Sequence, residues 1–281
     1  MAEAKDQRSS GARELRDDLH DYYNRSDDYK EQISRSAITK FLRFYAELFD
    51  EVPNFVDGPV LDVGCGVGTS TNFLFDMGFD VTGLDLSELF ILDARKKSKG
   101  PDFICASAED IPFDNNHFRI VGANSFIEHV PDVTAVLREM IRVTRPGGCI
   151  ILHGPNLLSP LVPLVKAMRA LVGQEVSPVY GSGVVGCIRT SARNARILRA
   201  KRKSKTIELM YRKPLLDDSQ FTADDADATW LANRWDLCMI LEELGCEIVV
   251  SHREPPGLRS LVSKVFPDAM GVSIIAEKIG R

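Results

Sequence analysis

Three closely spaced glycines and one acid are the residues whose types and spacing suggest ligand chemistry. Gly64, Gly66 and Gly68 follow an apolar run typical of a buried strand, and Asp85 ends the next strand-like run, Val-Thr-Gly-Leu-Asp. Glycine permits a positive φ and lets a ligand touch the main chain where a Cβ would collide with it. An acid at the end of the second strand can accept hydrogen bonds from both hydroxyls of a ribose. The pattern predicts a nucleotide-like ligand between the loop and Asp85.

The spacing of the glycines argues against a dinucleotide. The dinucleotide fingerprint is GxGxxG, with the pyrophosphate at the helix N-terminus. This chain has GxGxG instead, and Thr69 stands where the third fingerprint glycine would be. Asp62, two residues before the first glycine, is an awkward neighbour for a pyrophosphate but suits a cationic amino-acid tail. An NAD-dependent oxidoreductase is therefore disfavoured.

Strand-like and helix-like segments alternate along most of the chain, which indicates βαβ units with right-handed crossovers. The fold class expected is α/β, with a doubly wound, mostly parallel sheet of seven strands. We predict strands at 60–63, 81–84, 103–106, 120–124 and 149–152, helices at 69–77, 87–98 and 132–144, then a helix at 230–244 and strands at 247–250 and 272–275.

Four segments are predicted from this rhythm. Residues 1–57 form a helical N-terminal cover, of which 1–20 are polar and expected to fray, whereas apolar residues from Ile33 to Leu48 recur at helical spacing. Residues 58–156 form the ligand-binding core. The rhythm breaks in 157–229, an insertion after the fifth strand that we expect to cover the substrate. Residues 230–281 complete the sheet.

Five stretches resemble the successive motifs of a known family. They are LDVGCGVGT, GLDLS, ASAEDIPFDNNHF, NSFIEHVPD and LREMIRVTRPGGCIIL. In this order and spacing they resemble the class I S-adenosylmethionine-dependent methyltransferases of the small-molecule, methyltransferase type 11-like kind. The likeness is close over 59–156 and extends to 230–278 as the remaining helix and strands. It implies a Rossmann-like methyltransferase fold, S-adenosylmethionine as cofactor, and methyl transfer to an O, N or C atom of a small-molecule acceptor.

The resemblance assigns most cofactor-binding residues to the first two motifs. Gly64, Gly66 and Gly68 would line the methionine and ribose part, with Asp62 near the amino group. Asp85 would hold the ribose. Asp62 has a second interpretation, a buried carboxylate that only supports the turn.

The later motifs would contact the adenine and the sulfonium. The residues implied are Leu86 beside the adenine, Ser107, Ala108 and Glu109 at its edge, and Asn124 and Ser125 by the amino-acid tail and sulfonium. The family often has Asp at 107, and serine is a weaker acceptor for the adenine amino group. It usually has Asp at 119, where this chain has Arg119, and that position is generally structural. Glu109 has an alternative role as a cap of the following turn.

His129 is the titratable side chain nearest to the expected methyl position, and it is the candidate catalytic residue. A histidine there can act as general base, although the family's histidine more often packs or hydrogen-bonds locally. His153, at the end of the fifth strand, is a weaker candidate. The cofactor carries its own leaving group, and positioning alone can lower the barrier by roughly 7–11 kcal/mol. No single catalytic side chain is therefore obligatory.

Two features of the insertion remain open to interpretation. An apolar stripe between Leu161 and Val172 indicates a lid helix packed on the domain, or a wall for a lipidic substrate. Residues 189–205 carry eight basic residues and no acid. A solvated helix face neutralised by Asp217, Asp218, Asp224, Asp225 and Asp227 is the favoured interpretation. An RNA or protein methyltransferase recruited by this segment, or a non-catalytic S-adenosylmethionine-binding module, are the alternatives.

Composition sets the outer bounds. The 281 residues are 44% hydrophobic and 27% charged, which fits an ordinary globular protein, and the net charge of −5 gives no overall attraction to nucleic acid. The six cysteines show no metal-like pairing with the five histidines, so we expect free thiols and no metal site. No signal peptide or membrane span is predicted. We expect a cytoplasmic enzyme whose partner is a small-molecule acceptor; its oligomeric state is not predictable.

Overall fold

A computed structural model describes residues 2–25, 39–52, 58–98, 100–174, 176, 178–216, 225–250 and 271–280. The strands are β1 Val60–Val63, β2 Val81–Asp85, β3 Asp102–Cys105, β4 Phe118–Asn124, β5 Thr144–Pro155, β6 Cys246–Val250 and β7 Gly271–Lys278. The helices are α1 Ala2–Arg25, α2 Thr39–Phe49, α3 Thr69–Asp76, α4 Glu88–Lys97, α5 Val133–Val143, α6 Leu161–Leu171, α7 Gly183–Ser204 and α8 Arg234–Glu243. Short 3₁₀ turns lie at Ile127–His129 and Pro178–Tyr180.

The seven strands form one sheet in the order β3-β2-β1-β4-β5-β7-β6. β1 to β5 are parallel, and β7 runs antiparallel between β5 and β6. The predicted fold class is confirmed. The strand order reverses between β1 and β4, and open α/β sheets bind ligands outside the carboxyl ends of the strands at such a point.

Burial on both faces explains why these strands read as apolar runs. All four residues of β1 are buried, and α5 packs Val133, Val136, Leu137 and Met140 against the sheet. On the other face, α2 contributes Tyr45 and other apolar side chains to a second cluster. The sheet is thus fixed from both sides, which holds the carboxyl ends of β1, β2 and β4 in register.

Side-chain caps set where the helices begin. Ser87 accepts a hydrogen bond from the N–H of Phe90, and Asp132 does so from Ala135. Asn233 caps α8 in the same way, so the predicted helix at 230–244 begins at Arg234 instead. Trp230 lies before that helix, and its indole N–H donates to the Ile127 carbonyl at 2.8 Å.

The N-terminal cover differs from the expectation. Residues 2–20, predicted to fray, belong to α1, because Leu19 and Tyr22 are each 3% exposed and anchor the helix on the domain. The predicted helix from Ile33 is described only from residue 39 onward. Ile33 and three of the predicted neutralising aspartates, 217, 218 and 224, lie outside the described residues.

The insertion contains a pair of packed helices, α6 and α7, here called the α6–α7 hairpin (161–204). The Ser191 hydroxyl donates to the Pro160 carbonyl at 2.7 Å, and the Asn194 amide donates to the Ser159 carbonyl at 3.0 Å. Lys201, near the end of α7, is buried and pairs with Asp236 of α8 at 2.9 Å. The expected neutralisation by the five aspartates does not include this lysine, because α8 supplies its partner.

Two further expectations concern thiols and membranes. No disulfide joins any of the six cysteines, all of which lie within the described residues. No helix in the described ranges is long and apolar enough to cross a membrane.

Candidate functional site

The glycine loop is fastened to the end of β2 by main-chain hydrogen bonds. Gly64, Gly66 and Gly68 have φ values of 71°, 53° and 80°, which side chains disfavour. The N–H of Gly64 donates to the Leu84 carbonyl at 2.8 Å, and the N–H of Gly66 donates to Asp85 Oδ2 at 2.9 Å. The loop and Asp85 are therefore one hydrogen-bonded unit.

Asp85 is half-buried and keeps capacity for a ligand. Its Oδ1 accepts from the Ser87 N–H at 2.9 Å while Oδ2 accepts from Gly66. Burial raises the pKa of Asp85, and these N–H donors oppose the rise. A carboxylate offers about four acceptor positions, so positions remain for the two hydroxyls of a ribose. This geometry fits the predicted role.

Two of the loop glycines also make room for aromatic rings. A Cβ on Gly64 would collide with the ring of Phe126, and one on Gly68 would lie 2.8 Å from the ring of Phe103. Phe126, which follows β4, is a neighbour of the loop that sequence reasoning missed. That Gly64 and Gly68 line the cofactor stays a prediction.

Asp62 is enclosed by three hydroxyl groups. It is 1% exposed and accepts from Ser70 at 2.6 Å, Thr71 at 2.7 Å and Tyr45 at 3.1 Å. Burial raises its pKa, and the three donors oppose the rise. These contacts favour the interpretation of Asp62 as a support of the turn. A direct contact with the cofactor's amino group stays a prediction.

Asn124 ends β4 with an unused acceptor. Its Oδ1 is buried and has no hydrogen-bond partner in the structure. The next residue, Ser125, has a φ of 49° and donates its N–H to the His153 carbonyl at 2.7 Å, which turns the chain at the strand end. A buried, unpaired oxygen is costly unless a ligand satisfies it. The ammonium group of an amino-acid tail is a donor that fits this position.

The predicted adenine edge is closed by an ion pair from α1. Glu109 binds Arg16, with Arg16 Nε 3.1 Å from Glu109 Oε1. Burial raises the pKa of Glu109, and Arg16 opposes the rise. The Ser107 hydroxyl accepts from the Glu109 N–H at 3.2 Å, and Ala108 is buried beneath. Leu86 lies half-buried next to Asp85.

α1 makes further contacts with the start of α4 and with the segment before α8. Asn24 Oδ1 accepts from the Ser87 hydroxyl and the Leu89 N–H, both at 3.1 Å. The Tyr23 hydroxyl donates to Asp227 Oδ2 at 2.9 Å. One helix thus contacts the adenine edge, the start of α4 and the segment before α8.

A cluster of ionisable groups lies where α1 meets the end of β4. His129 Nδ1 is 3.3 Å from Asp227 Oδ2, and His129 Nε2 is 3.6 Å from Glu128 Oε1. Glu128 is fully buried, and neither carboxylate oxygen has a hydrogen-bond partner among the described residues. Single ligand atoms of Glu128, His129 and Asp225 lie within 4.8 Å of one another. The sequence could not show this grouping, since the aspartates lie far along the chain.

The cluster perturbs the acidity of its members. Burial raises the pKa of Glu128 to about 8, although His129 opposes the rise. Burial lowers the pKa of His129, but the carboxylates of Asp227, Glu128 and Asp225 outweigh it, and the net pKa is raised. His129 is thus a stronger base than an ordinary histidine, and Asp227 approaches its Nδ1 as an ion pair without hydrogen-bond geometry.

His153, the weaker catalytic candidate, has a different environment. Its Nδ1 is 3.0 Å from the Ser273 hydroxyl on β7, and burial lowers its pKa to about 4. A neutral histidine held between two strands matches the packing alternative.

Comparison with known proteins decides the family. Residues 61–152 match the methyltransferase domain family. A demethylmenaquinone methyltransferase of Renibacterium salmoninarum is 30% identical over 179 residues, which are 61% of this chain and 73% of that protein. The chain belongs to the S-adenosylmethionine-dependent methyltransferases. S-adenosylmethionine is accordingly the cofactor of this methyltransferase.

Further matches include a second curated relative over a shorter stretch and solved structures of lower sequence identity. A demethylmenaquinone methyltransferase of Staphylococcus aureus is 32% identical over 127 residues, covering 43% of this chain and 52% of that protein. An S-adenosylmethionine-dependent methyltransferase of Mesorhizobium loti is 17% identical with a TM-score of 0.54, covering 84% of this chain and all of that one (100%). Magnesium protoporphyrin IX methyltransferase of Synechocystis, solved with bound SAH, is 13% identical with a TM-score of 0.52, covering 92% and 97%. These structures show a shared fold.

Proposed function

We propose that this methyltransferase acts on a small-molecule acceptor with His129 as general base. The observation that carries the proposal is the buried group of His129, Asp227 and Glu128 at the carboxyl end of β4. It lies beside Asn124 and Ser125 in sequence and under α1, next to the predicted place of the sulfonium.

The chain's own residues would handle the proton. When bound, S-adenosylmethionine supplies a methyl group on a sulfonium leaving group. The acceptor's O–H, N–H or acidic C–H bond breaks as its electron pair forms the new bond to the methyl carbon, and the S–CH₃ electrons stay on sulfur. His129 takes the released proton at Nε2, while Asp227, beside Nδ1, stabilises the imidazolium. General-base assistance of this kind contributes typically about 10²- to 10⁴-fold.

The surroundings of His129 would exclude water and hold the acceptor. α1 covers the cluster through Tyr23, and Thr229 donates its N–H to the Glu128 carbonyl at 2.9 Å. Burial raises the pKa of Glu128 to about 8, and in its protonated form this side chain can donate to an acceptor oxygen. The side chains of His129, Glu128 and Asp227 are at most 14% exposed, and a cluster buried in this way suits a small molecule better than a polymer chain. The relatives' names, demethylmenaquinone methyltransferase, support a small aromatic diol or quinol as the first acceptor class to test.

A labelled-methyl assay tests the proposal. The purified enzyme is incubated with methyl-labelled S-adenosylmethionine and separate panels of small aromatic diols, other small O, N and C acceptors, RNA and protein. We expect label in a small acceptor, and a loss of about 100-fold or more in kcat for His129→Gln. His117→Gln, a matched change at an exposed histidine, should keep the wild-type rate. Activity should survive EDTA, because the proposed chemistry needs no divalent ion.

The outcomes separate the alternatives. Label found only in RNA or protein would replace the small-molecule proposal by a macromolecular one. S-adenosylmethionine binding without transfer to any panel would favour a binding module. Equal rates for the two histidine variants would remove His129 from the mechanism.

A further inference from the structure

The most exposed apolar side chains of the described residues are concentrated on one element. Met168, Leu171 and Val172 at the end of α6 are 69%, 71% and 74% exposed, and Val185 in the first turn of α7 is 61% exposed. These four, here called the hydrophobic tip, have the highest exposure of any large apolar residue in the described ranges. The stripe that the sequence suggested as a packed lid therefore faces solvent over its last two turns.

The packing of the hairpin brings the four side chains to one end. Pro160, just before α6, accepts from Ser191 in the middle of α7. Further along α6, Lys166 lies 5.3 Å from the centre of the Tyr180 ring, which directly precedes α7. α6 therefore runs antiparallel to α7, and its last turn ends beside the first turn of α7. The four side chains therefore lie toward the same end of the hairpin.

The segment that contains the hydrophobic tip is rich in basic residues. Residues 157–205 contain ten Lys or Arg and one acid, Glu175, a net charge of 10 − 1 = +9. Because the whole chain carries −5, the remainder carries −5 − 9 = −14. Arg189, Arg193 and Arg196 are exposed and continue the face of Val185 along α7 at helical spacing. Lys201 pairs with Asp236 and is not part of this surface, so the cationic flank is defined here as Arg189, Arg193 and Arg196.

We propose that the hydrophobic tip and its cationic flank dock this methyltransferase onto an anionic lipid bilayer. Helices that lie on membranes combine an apolar face with Lys and Arg on the polar side, and their affinity rises with buried apolar area and with anionic lipid. A solvated helix or an RNA-binding face accounts for the arginines but not for four apolar side chains at the tip. A second copy of this chain would offer its own hydrophobic tip, but pairing the two tips would bring two cationic flanks together.

The segment that joins α6 to α7 touches the proposed acceptor site. The Tyr180 hydroxyl donates to Asp225 Oδ2 at 3.3 Å, and Asp225 belongs to the cluster around His129. A docked tip would place the acceptor site close to the membrane surface, where an apolar acceptor could enter without crossing water. The docking itself does not depend on which acceptor is used.

Vesicle co-sedimentation of the full chain tests the docking. Vesicles of phosphatidylcholine with and without phosphatidylglycerol are mixed with wild type, with the tip variant Met168→Gln/Leu171→Gln, and with the flank variant Arg189→Gln/Arg193→Gln/Arg196→Gln. Leu92→Gln, at a leucine on α4 that is 52% exposed, is the matched control. We expect wild type and Leu92→Gln to sediment with anionic vesicles only. The tip variant should bind at least about tenfold more weakly, because each buried methylene contributes roughly fourfold.

Each outcome decides the proposal. Weak binding by both the tip and the flank variants, with wild-type melting temperatures, supports it. Wild type remaining in the supernatant at low salt overturns it, as does a tip variant that binds like wild type, since the contact would then be purely electrostatic. Equal retardation of RNA by wild type and tip variant, without vesicle binding, would assign the cationic flank to nucleic acid instead.

Discussion

The predicted cofactor side, formed by the glycine loop and Asp85, and the acceptor side around His129 are assembled in different ways. On the cofactor side, the deciding contacts join residues close in sequence: the Gly66 N–H meets Asp85 only 19 positions away, and the Ser87 N–H meets it 2 positions away. On the acceptor side, the Thr229 hydroxyl meets the Glu128 carbonyl across 101 positions and Tyr23 meets Asp227 across 204. The first is built by one βαβ unit, whereas the second exists only after the whole chain has folded.

The carboxylates of the two sides differ as well. Those of the cofactor side are satisfied by main-chain N–H or hydroxyl donors, as at Asp85 and Asp62. Around His129, Asp227 accepts from Tyr23, whereas the carboxylate oxygens of Glu128 have no hydrogen-bond donor among the described residues. A satisfied carboxylate holds a fixed shape, whereas an unsatisfied one beside an imidazole can exchange a proton with it. The comparison predicts that damage to the cofactor side abolishes binding and damage to the acceptor side changes catalysis.

The largest effect is expected from Gly66→Val. A side chain there would strain a φ of 53° and block close approach of the cofactor, so S-adenosylmethionine binding should fall below detection in calorimetry. Unfolding should stay cooperative. Gly78→Val is the control, because Gly78 has a φ of 94° and open space around its Cβ position. Comparable loss of binding in both variants would show that strain alone is responsible.

Lys201→Gln should weaken the fold while sparing the cofactor site. It leaves Asp236 buried without its cation, and breaking a buried pair typically costs about 3–5 kcal/mol. Urea denaturation should report a loss of that order, with an unchanged dissociation constant for S-adenosylmethionine. Lys203→Gln, at an exposed lysine of the same helix, should have little effect. An equal stability of the two variants would mean that the packing of the end of α7 on α8 does not depend on this pair.

Asp85→Ala should weaken cofactor binding by roughly 10- to 100-fold. Each hydrogen bond to the carboxylate contributes roughly 1.5–3 kcal/mol, and about 1.4 kcal/mol corresponds to a tenfold change in affinity. Calorimetry measures the dissociation constant. Asp80→Ala is the control, because Asp80 is an exposed aspartate just before β2. An unaltered constant would reduce Asp85 to a structural link between the loop and α4.

Tyr23→Phe should have the smallest effect and should fall on catalysis. It removes one hydrogen bond to Asp227, with a net contribution of about 0.5–1.5 kcal/mol, so kcat/KM for the acceptor should drop by roughly 2- to 10-fold. The affinity for S-adenosylmethionine should not change. Tyr211→Phe, at a tyrosine that is 55% exposed, is the control. A loss of cofactor affinity instead would place α1 on the cofactor side of the comparison.

The same contrast explains how much could be predicted from sequence. The parallel sheet, the glycine loop and Asp85 follow from apolar runs, glycine spacing and one acid within a single local unit. Asp62 shows a limit, because its three hydroxyl partners on α2 and α3 are ordinary serine, threonine and tyrosine residues without a pattern. The grouping of Glu128 with Asp225 and Asp227, and the ion pair of Arg16, depend on tertiary packing that no local motif encodes.

The pH dependence of methyl transfer in wild type and Asp227→Asn tests the central claim that His129 accepts the proton. A base acts in its neutral form, so the rate should fall as pH drops through the pKa of His129, which lies above 6.5 because Asp227 and its neighbours outweigh burial. Removing the Asp227 charge takes away the largest of the effects that raise that pKa, while burial continues to lower it. The acid limb of kcat should therefore move to lower pH in Asp227→Asn, whatever the absolute rate. An acid limb that keeps its position, or that moves to higher pH, would contradict the account.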